Sequence, residues 1–136
     1  MKDLDIIKQI EKELNVELKE SDHKKGYTLN QNGQVTGLCL KDCKIKNLNL
    51  IIYPLKNLKN LTQLVLDKNQ LSDISPLKYL DNLTGLYLHN NQIRDISPLK
   101  NLGNLTELDL EKNQLSDITP LTDLKELTRL NLYDNL

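Results

Sequence analysis

The sequence contains no phenylalanine and no tryptophan, and aromatic residues make up only 4% of its 136 positions. That excludes the usual globular core, in which aromatic and β-branched side chains are mixed and mutually fitted. Leucine instead supplies roughly a quarter of the chain, and one side chain used repeatedly suits a stack of similar layers. An excess of either charge is also missing. The net charge is −1 with both signs interspersed, so no global field favours nucleic acid or an anionic membrane. Apolar runs last only a few residues, whereas a bilayer-spanning helix needs about 20. The opening MKDLDIIKQIEKEL carries a charge at every second or third position, which excludes the apolar stretch of a secretory signal. The chain is therefore expected to be soluble and cytoplasmic, or secreted if it is a fragment of a longer parent.

Only two cysteines are present, Cys39 and Cys43. Four residues along an extended strand separate their Cα atoms by about 13 Å, beyond the ~7 Å that a disulfide can bridge. Reduced thiols are expected, as in a reducing compartment. Glycine is scarce, with five residues and no phosphate-cradling loop, and no nucleophile has a plausible base beside it. No enzyme and no cofactor are expected.

What is present is a sentence of 22 residues written three times. LTQLVLDKNQLSDISPLKYLDN runs over 61–82, LTGLYLHNNQIRDISPLKNLGN over 83–104, and LTELDLEKNQLSDITPLTDLKE over 105–126. A fourth copy, LTRLNLYDNL, occupies 127–136. A fixed period of this length with the skeleton LxxLxLxxNxL is the signature of leucine-rich repeats, each unit one coil of a solenoid. A degenerate first copy lies at 35–60. Val35, Leu38, Leu40, Cys43, Ile45 and Leu48 align with Leu61, Leu64, Leu66, Asn69, Leu71 and Ile74, with four residues inserted near LNLIIYP. Ile51, Ile52, Leu55 and Leu58 are helically spaced there, and Pro54 fits a helix's first turn.

Residues 1–34 read as an N-terminal cap, because an open solenoid end must cover its leucines. Leu4, Ile7, Ile10, Leu14 and Leu18 form one apolar helical stripe; alternatively, the helix ends near Asn15 and an extended segment begins. Ser21–Gly26 reads as a polar loop, and YTLNQNGQVTGLCL as a hairpin turning at Asn32-Gly33.

Within a repeat, Leu64 and Leu66 alternate with Gln63, Val65 and Asp67, the period of a strand with one face inward. Asn69, Asn91, Asn113 and Asn135 sit where the chain leaves each strand, and Cys43 takes that place in the first copy. An asparagine there can satisfy backbone groups that the turn would bury unpaired, so these five positions are predicted to form a continuous hydrogen-bonded structural column. Asp73, Asp95 and Asp117 recur once per coil, which makes them coil geometry and not catalytic carboxylates. Pro76, Pro98 and Pro120 turn the chain along the outer side.

The pattern LxxLxLxxNxIxDIxPLxxLxN closely resembles the repeat of bacterial internalin-like proteins, shared with a eukaryotic phosphatase-regulatory subunit. The resemblance implies an α/β solenoid: a right-handed superhelix with parallel strands on its concave face and short 3₁₀ turns on its convex face. It implies protein recognition through the concave face and no catalytic chemistry.

The outward strand positions differ between copies whose buried positions barely change. Tyr87, His89 and Tyr133, with Asp67, Asp109, Glu111 and Arg129 around them, are the predicted partner-binding patch, since aromatic and arginine side chains dominate interface energetics. The competing reading is ordinary solvated strand decoration. Asn90, one place before Asn91, is expected to face outward and tolerate substitution. His89 lies between Asp67 and Glu111 on neighbouring strands, and these types can ligate metal. Side chains splaying from a row do not converge, however, so no metal is expected. His23 reads as a solvated loop residue. Lys41, Lys44, Lys46, Lys56 and Lys59 cluster without interleaved aromatics, a weak nucleic-acid signal. Three Asn-Leu-Thr tripeptides, at Asn60, Asn82 and Asn104, match the glycosylation pattern but recur with the repeat.

The expected function is a non-catalytic protein–protein interaction module. The alternative is a structural or regulatory segment of a larger signalling or surface protein whose binding face needs more repeats. Five strands of five residues present roughly 320 Å² of concave face, against about 800 Å² per partner in a standard interface. Adjoining loops, self-association or a longer parent must supply the rest. The edge at 127–136 is expected either to pair two copies or to be disordered and aggregate, unless the natural protein continues beyond it.

Overall fold

The computed structural model describes all residues, 1–136. Helix α1 (Asp3–Leu14) is followed by strands β1 (Lys19–Glu20), β2 (Lys25–Leu29) and β3 (Val35–Leu40). A 3₁₀ turn at Leu48–Leu50 then leads into helix α2 (Ile52–Asn57). Strands β4 (Gln63–Val65), β5 (Gly85–Tyr87), β6 (Glu107–Asp109) and β7 (Arg129–Asn131) alternate with 3₁₀ turns at Ser75–Tyr79, Ser97–Leu99 and Thr119–Leu121. All seven strands form one sheet in chain order. From β3 to β7 the pairing is parallel and in strict register, Leu38 beside Leu64, Leu86, Leu108 and Leu130. No helix is long and apolar enough to cross a membrane.

Period-two alternation places those leucines in one core of stacked layers. Leu61, Leu64, Leu66, Leu71, Ile74, Leu77 and Leu80 are buried, as are their counterparts Leu83, Leu86, Leu88, Ile93, Ile96, Leu99 and Leu102. Full burial of one such side chain is worth about 1.5–3 kcal/mol, so a single coil commits seven of them to its neighbours. Threonine adds a polar ladder along the same stack. The hydroxyls of Thr62, Thr84, Thr106 and Thr128 each donate to the carbonyl of the threonine one coil before, starting at Thr36, over 3.1–3.3 Å. The amides of Asn82 and Asn104 likewise donate to Lys59 and Asp81 carbonyls. At 82 and 104 the Asn-Leu-Thr tripeptide thus joins coils through both of its polar side chains.

The N-terminal segment takes the early helix end that its sequence left open, and departs from its sequence reading in two details. Helix α1 stops at Leu14, because Asn15 adopts a left-handed conformation (φ 52°) and returns its N–H to the Glu11 carbonyl. Leu18 is therefore buried from an extended segment and not from the helix. The apolar stripe is also rotated: Leu4 is 42% exposed while Ile6 is buried with Ile7 and Ile10. Burial against the first coil sets that phase, and the Asp3 carboxylate accepts the Val35 N–H at 2.8 Å on the same side. Finally, the hairpin does not turn on a two-residue Asn-Gly. Only Gly33 has positive φ (74°), and the loop is wired by Asn30, whose Oδ1 accepts from the N–H groups of Asn32 and Gln34. The extra length shifts the pairing register between Thr28 and Leu29. The inserted residues of the first repeat form α2, with Pro54 in its first turn and Leu55 buried.

Candidate functional site

Two polar systems run across the coils, one beneath the sheet's exit and one on its concave face. In the first, Asn69 Oδ1 accepts the N–H groups of Cys43 and Ile45, both at 3.0 Å. Its Nδ2 donates to the carbonyls of Leu40, one coil back, and of Leu66 in its own coil. Asn91 and Asn113 repeat the pattern, accepting from Leu71 and Ile93 and donating to Leu66 with Leu88, and to Leu88 with Leu110. Asn135 does the same at the last coil, accepting from Leu115. The amides do not bond to one another. The predicted side-chain column is instead a set of rungs, each joining the backbones of two coils, because every amide is consumed by backbone groups that face each other there.

Cys43 stands at the top of this set. Its thiol reaches only the Lys41 carbonyl, at 3.6 Å, and burial raises its pKa. Cys39 is a separate free thiol, half-buried, whose Sγ donates to the carbonyls of His23 and Lys24; burial raises its pKa too.

The residue before each column position has left-handed backbone, φ 53–60° at Asp42, Lys68, Asn90, Lys112 and Asp134. This swing takes the chain off the strand and turns the next side chain inward. Left-handed backbone costs a Cβ-bearing residue roughly 1–2 kcal/mol, less for Asn and Asp. Asn90 is therefore not the freely replaceable surface position its outward orientation implies. The signal was available in the recurring Asp, Asn or Lys at one offset, but nothing in a hydrophobic pattern reports a dihedral angle.

On the concave face, the Tyr87 hydroxyl donates to Glu107 at 2.6 Å and lies 3.3 Å from the Gln63 carbonyl oxygen. Burial, reinforced by the Glu107 bond, pushes the Tyr87 pKa up to about 12, so this phenol remains a donor at neutral pH. Glu107 in turn faces Arg129 at 3.6 Å, and Gln63 Nε2 donates to Thr84. Gly85 makes this possible, since a Cβ there would collide with the Gln63 amide. The lower row is a second group. His89 Nδ1 lies 3.8 Å from Glu111 Oε1, whose other oxygen accepts from Asn131 at 2.8 Å. Asp109 accepts the Glu111 N–H at 2.9 Å.

The predicted patch is thus two clusters. Tyr87 and Arg129 share one through Glu107, while His89, Asp109 and Glu111 form the other. Asp67 turns its carboxylate onto the His89 N–H at 2.9 Å, and burial raises its pKa despite that bond. Tyr133 joins neither cluster; it is 73% exposed. Gln63 and Glu107 hold the first cluster together and Asn131 bonds to the second, and all three were absent from the predicted set. They share the outward rows, but which polar side chains of a row bond to one another depends on distances that the sequence does not carry. The expectation that row side chains diverge is corrected for one trio. His89, Asp109 and Glu111 bring ligand atoms within 4.8 Å of one another, because Glu111 lies two residues beyond Asp109, just past the end of β6, and its N–H bonds back to the Asp109 carboxylate.

Residues 59–101 and 81–122 match the family model described as Leucine Rich repeats (2 copies). No match is found among curated proteins. Among solved structures, the internalin InlF of Listeria monocytogenes is 35% identical with a TM-score of 0.68, over 95% of this chain and 36% of its own. The internalin C2 of the same organism is also 35% identical, TM-score 0.64, over 85% of this chain and 62% of its own. This chain therefore spans less than two thirds of either. The ectodomain of the Arabidopsis thaliana receptor kinase SOBIR1, 24% identical with TM-score 0.70, shares the fold.

Proposed function

Since this chain is a leucine-rich repeat protein of the internalin-like class, a fold typical of protein-interaction modules, we propose that it binds a protein partner on its concave strand face and carries no catalysis of its own. The observation that supports this is the contrast between faces. Buried positions repeat as leucine or isoleucine from coil to coil, while the outward rows vary, as in Cys39, Val65, Tyr87, Asp109 and Asn131. Such rows are free to carry recognition because substitution there leaves the stack intact. The cluster of Tyr87, Glu107 and Arg129 would anchor the partner, and Tyr133 would extend the contact at the exposed end. Affinity capture from a lysate, comparing the wild type with a Tyr87→Ala, His89→Ala, Tyr133→Ala triple variant, tests the reading. A partner held by the wild type and lost by the variant is expected, with unfolding shifted by no more than about 1–2 kcal/mol. Equal capture would exclude this face.

Self-association is a further part of the proposal. The outer edge of β7 is unpaired in the sheet order, and Leu130 and Leu136 beside it are 45% and 86% exposed. Exposed edges recruit strands, and two copies meeting by a two-fold axis would join them antiparallel. Sedimentation at micromolar concentration is expected to show a dimer that Leu130→Glu dissociates; a clean monomer would exclude it. The reading as a segment of a longer signalling or surface protein draws on the chain spanning only 36% of InlF. A cytoplasmic location is proposed from composition alone, and fractionation tests it.

A further inference from the structure

The lower concave cluster has a donor set and a geometry that protein binding alone does not call for. His89 Nδ1, an Asp109 oxygen and a Glu111 oxygen lie within 4.8 Å of one another, each on a half-buried side chain. His89 Nδ1 and Glu111 Oε1 face each other at 3.8 Å, too far for a hydrogen bond and close to the separation two ligands keep across one metal ion. We propose that His89, Asp109 and Glu111 form a three-ligand site for a divalent cation of the zinc class, with its remaining positions open to the concave face.

The supporting shell is what separates this trio from a chance grouping. Asn131, outside the trio, donates to Glu111 Oε2 at 2.8 Å and so leaves Oε1 turned toward His89. The Glu111 N–H holds one Asp109 oxygen at 2.9 Å, leaving the other free. Asp67 holds the His89 backbone N–H at 2.9 Å and adds a carboxylate beside the site. Ligand-orienting partners of this kind are what built metal sites carry. The imidazole argues for zinc, copper or nickel over calcium or magnesium, which favour all-oxygen shells. Lys112 Nζ lies 4.0 Å from the same Glu111 oxygen. Its side chain is half-exposed and can swing into solvent as a cation enters. Two carboxylates of the trio and Asp67 outweigh its charge.

Zinc chloride alone is the probe, titrated calorimetrically into the whole chain at neutral pH. Because His23 and Cys39 lie close together elsewhere and could hold adventitious zinc, a His23→Gln, Cys39→Ser background is titrated in parallel. One equivalent is expected in both. His89→Gln and the pair Asp109→Asn, Glu111→Gln should each weaken binding at least about tenfold, and Asn131→Ala by about 10–100-fold through lost orientation. Circular dichroism checks that each variant folds. If one does not, histidine proton resonances of the unmutated chain decide, since substoichiometric zinc should move His89 and leave His23 in place. Undiminished binding in His89→Gln, loss of binding in the His23→Gln, Cys39→Ser background, or the absence of saturable binding would overturn the site.

Discussion

The coil at 83–104 and the partial coil at 127–136 place the same leucines and the same asparagine at their inward positions, yet these are differently buried. Leu86 and Leu88 are fully buried in the first, whereas Leu130 is 45% exposed and Leu132 half-buried in the second. Asn91 is 7% exposed, and Asn135 is half-buried with the same donor and acceptor set. The inward-facing leucines and the asparagine are identical across this pair, so the difference comes from neighbours. An interior coil is covered on both sides, while the last is covered on one. Stability in a solenoid is a sum of such contacts between adjacent coils.

The comparison is broken most severely by removing a leucine from each layer. Leu86→Ala should cost about 2.7–5 kcal/mol, as core truncations that leave cavities do. Leu130→Ala should cost no more than about 1 kcal/mol in the monomer, below the concentration of any dimer, because its side chain there already meets solvent. Urea midpoints of the two variants check this, and equal midpoints would show that the last layer is as closed as the middle one.

Next in size is the asparagine pair. Asn91→Ala leaves the buried Leu71 N–H without an acceptor, at about 1–3 kcal/mol, and removes one of the two amide donors at each of the Leu66 and Leu88 carbonyls, which keep those of Asn69 and Asn113. Asn135→Ala removes the same bonds where water can replace them and should cost under half as much by the same urea assay. The preceding residue sharpens the contrast between side chain and backbone. Asn90→Ala should cost about 1 kcal/mol through left-handed strain, while Asn90→Gly, which relieves the strain, should be close to neutral. Equal midpoints for the Ala and Gly variants would show that the φ at position 90 carries no cost.

Smallest are the carboxylates. The N–H of Ser75 and of Thr119, aided by their hydroxyls, hold Asp73 and Asp117 below the usual carboxylate range. Their folded pKa lies under the unfolded one, so their contribution is present above the ordinary carboxylate pKa and lost as pH falls through the depressed value. Asp67 is the reverse. Burial lifts its pKa, so ionisation above its ordinary value opposes folding, and acid relieves that. Thermal midpoints should therefore fall at neutral pH for Asp117→Asn and rise for Asp67→Asn, whose Oδ1 still accepts the His89 N–H. The reverse order would place the strain elsewhere.

The sequence by itself determined the coil. Period 22, the leucine spacing and the asparagine after each strand report which side chains are buried, because burial against a like neighbour imposes the same demand on every copy. Register from Leu38 to Leu130, the helix in the first insertion and the rows of the concave face all followed from it. Other features were decided only in three dimensions. The phase of α1, with Ile6 inward and Leu4 outward, depends on the coil it packs against. The wiring of the hairpin through Asn30 depends on loop length and not on the Asn-Gly pair. The left-handed residue before each column position is a backbone angle, invisible to a pattern of apolar residues. The same holds for the concave face. Which outward side chains meet, Tyr87 with Glu107 and His89 with Asp109 and Glu111, is set by strand spacing, rotamer and the room Gly85 leaves for Gln63. A one-dimensional pattern fixes what must be hidden from water. Contacts among residues left in water depend on distances of a few ångströms, which only the assembled sheet supplies.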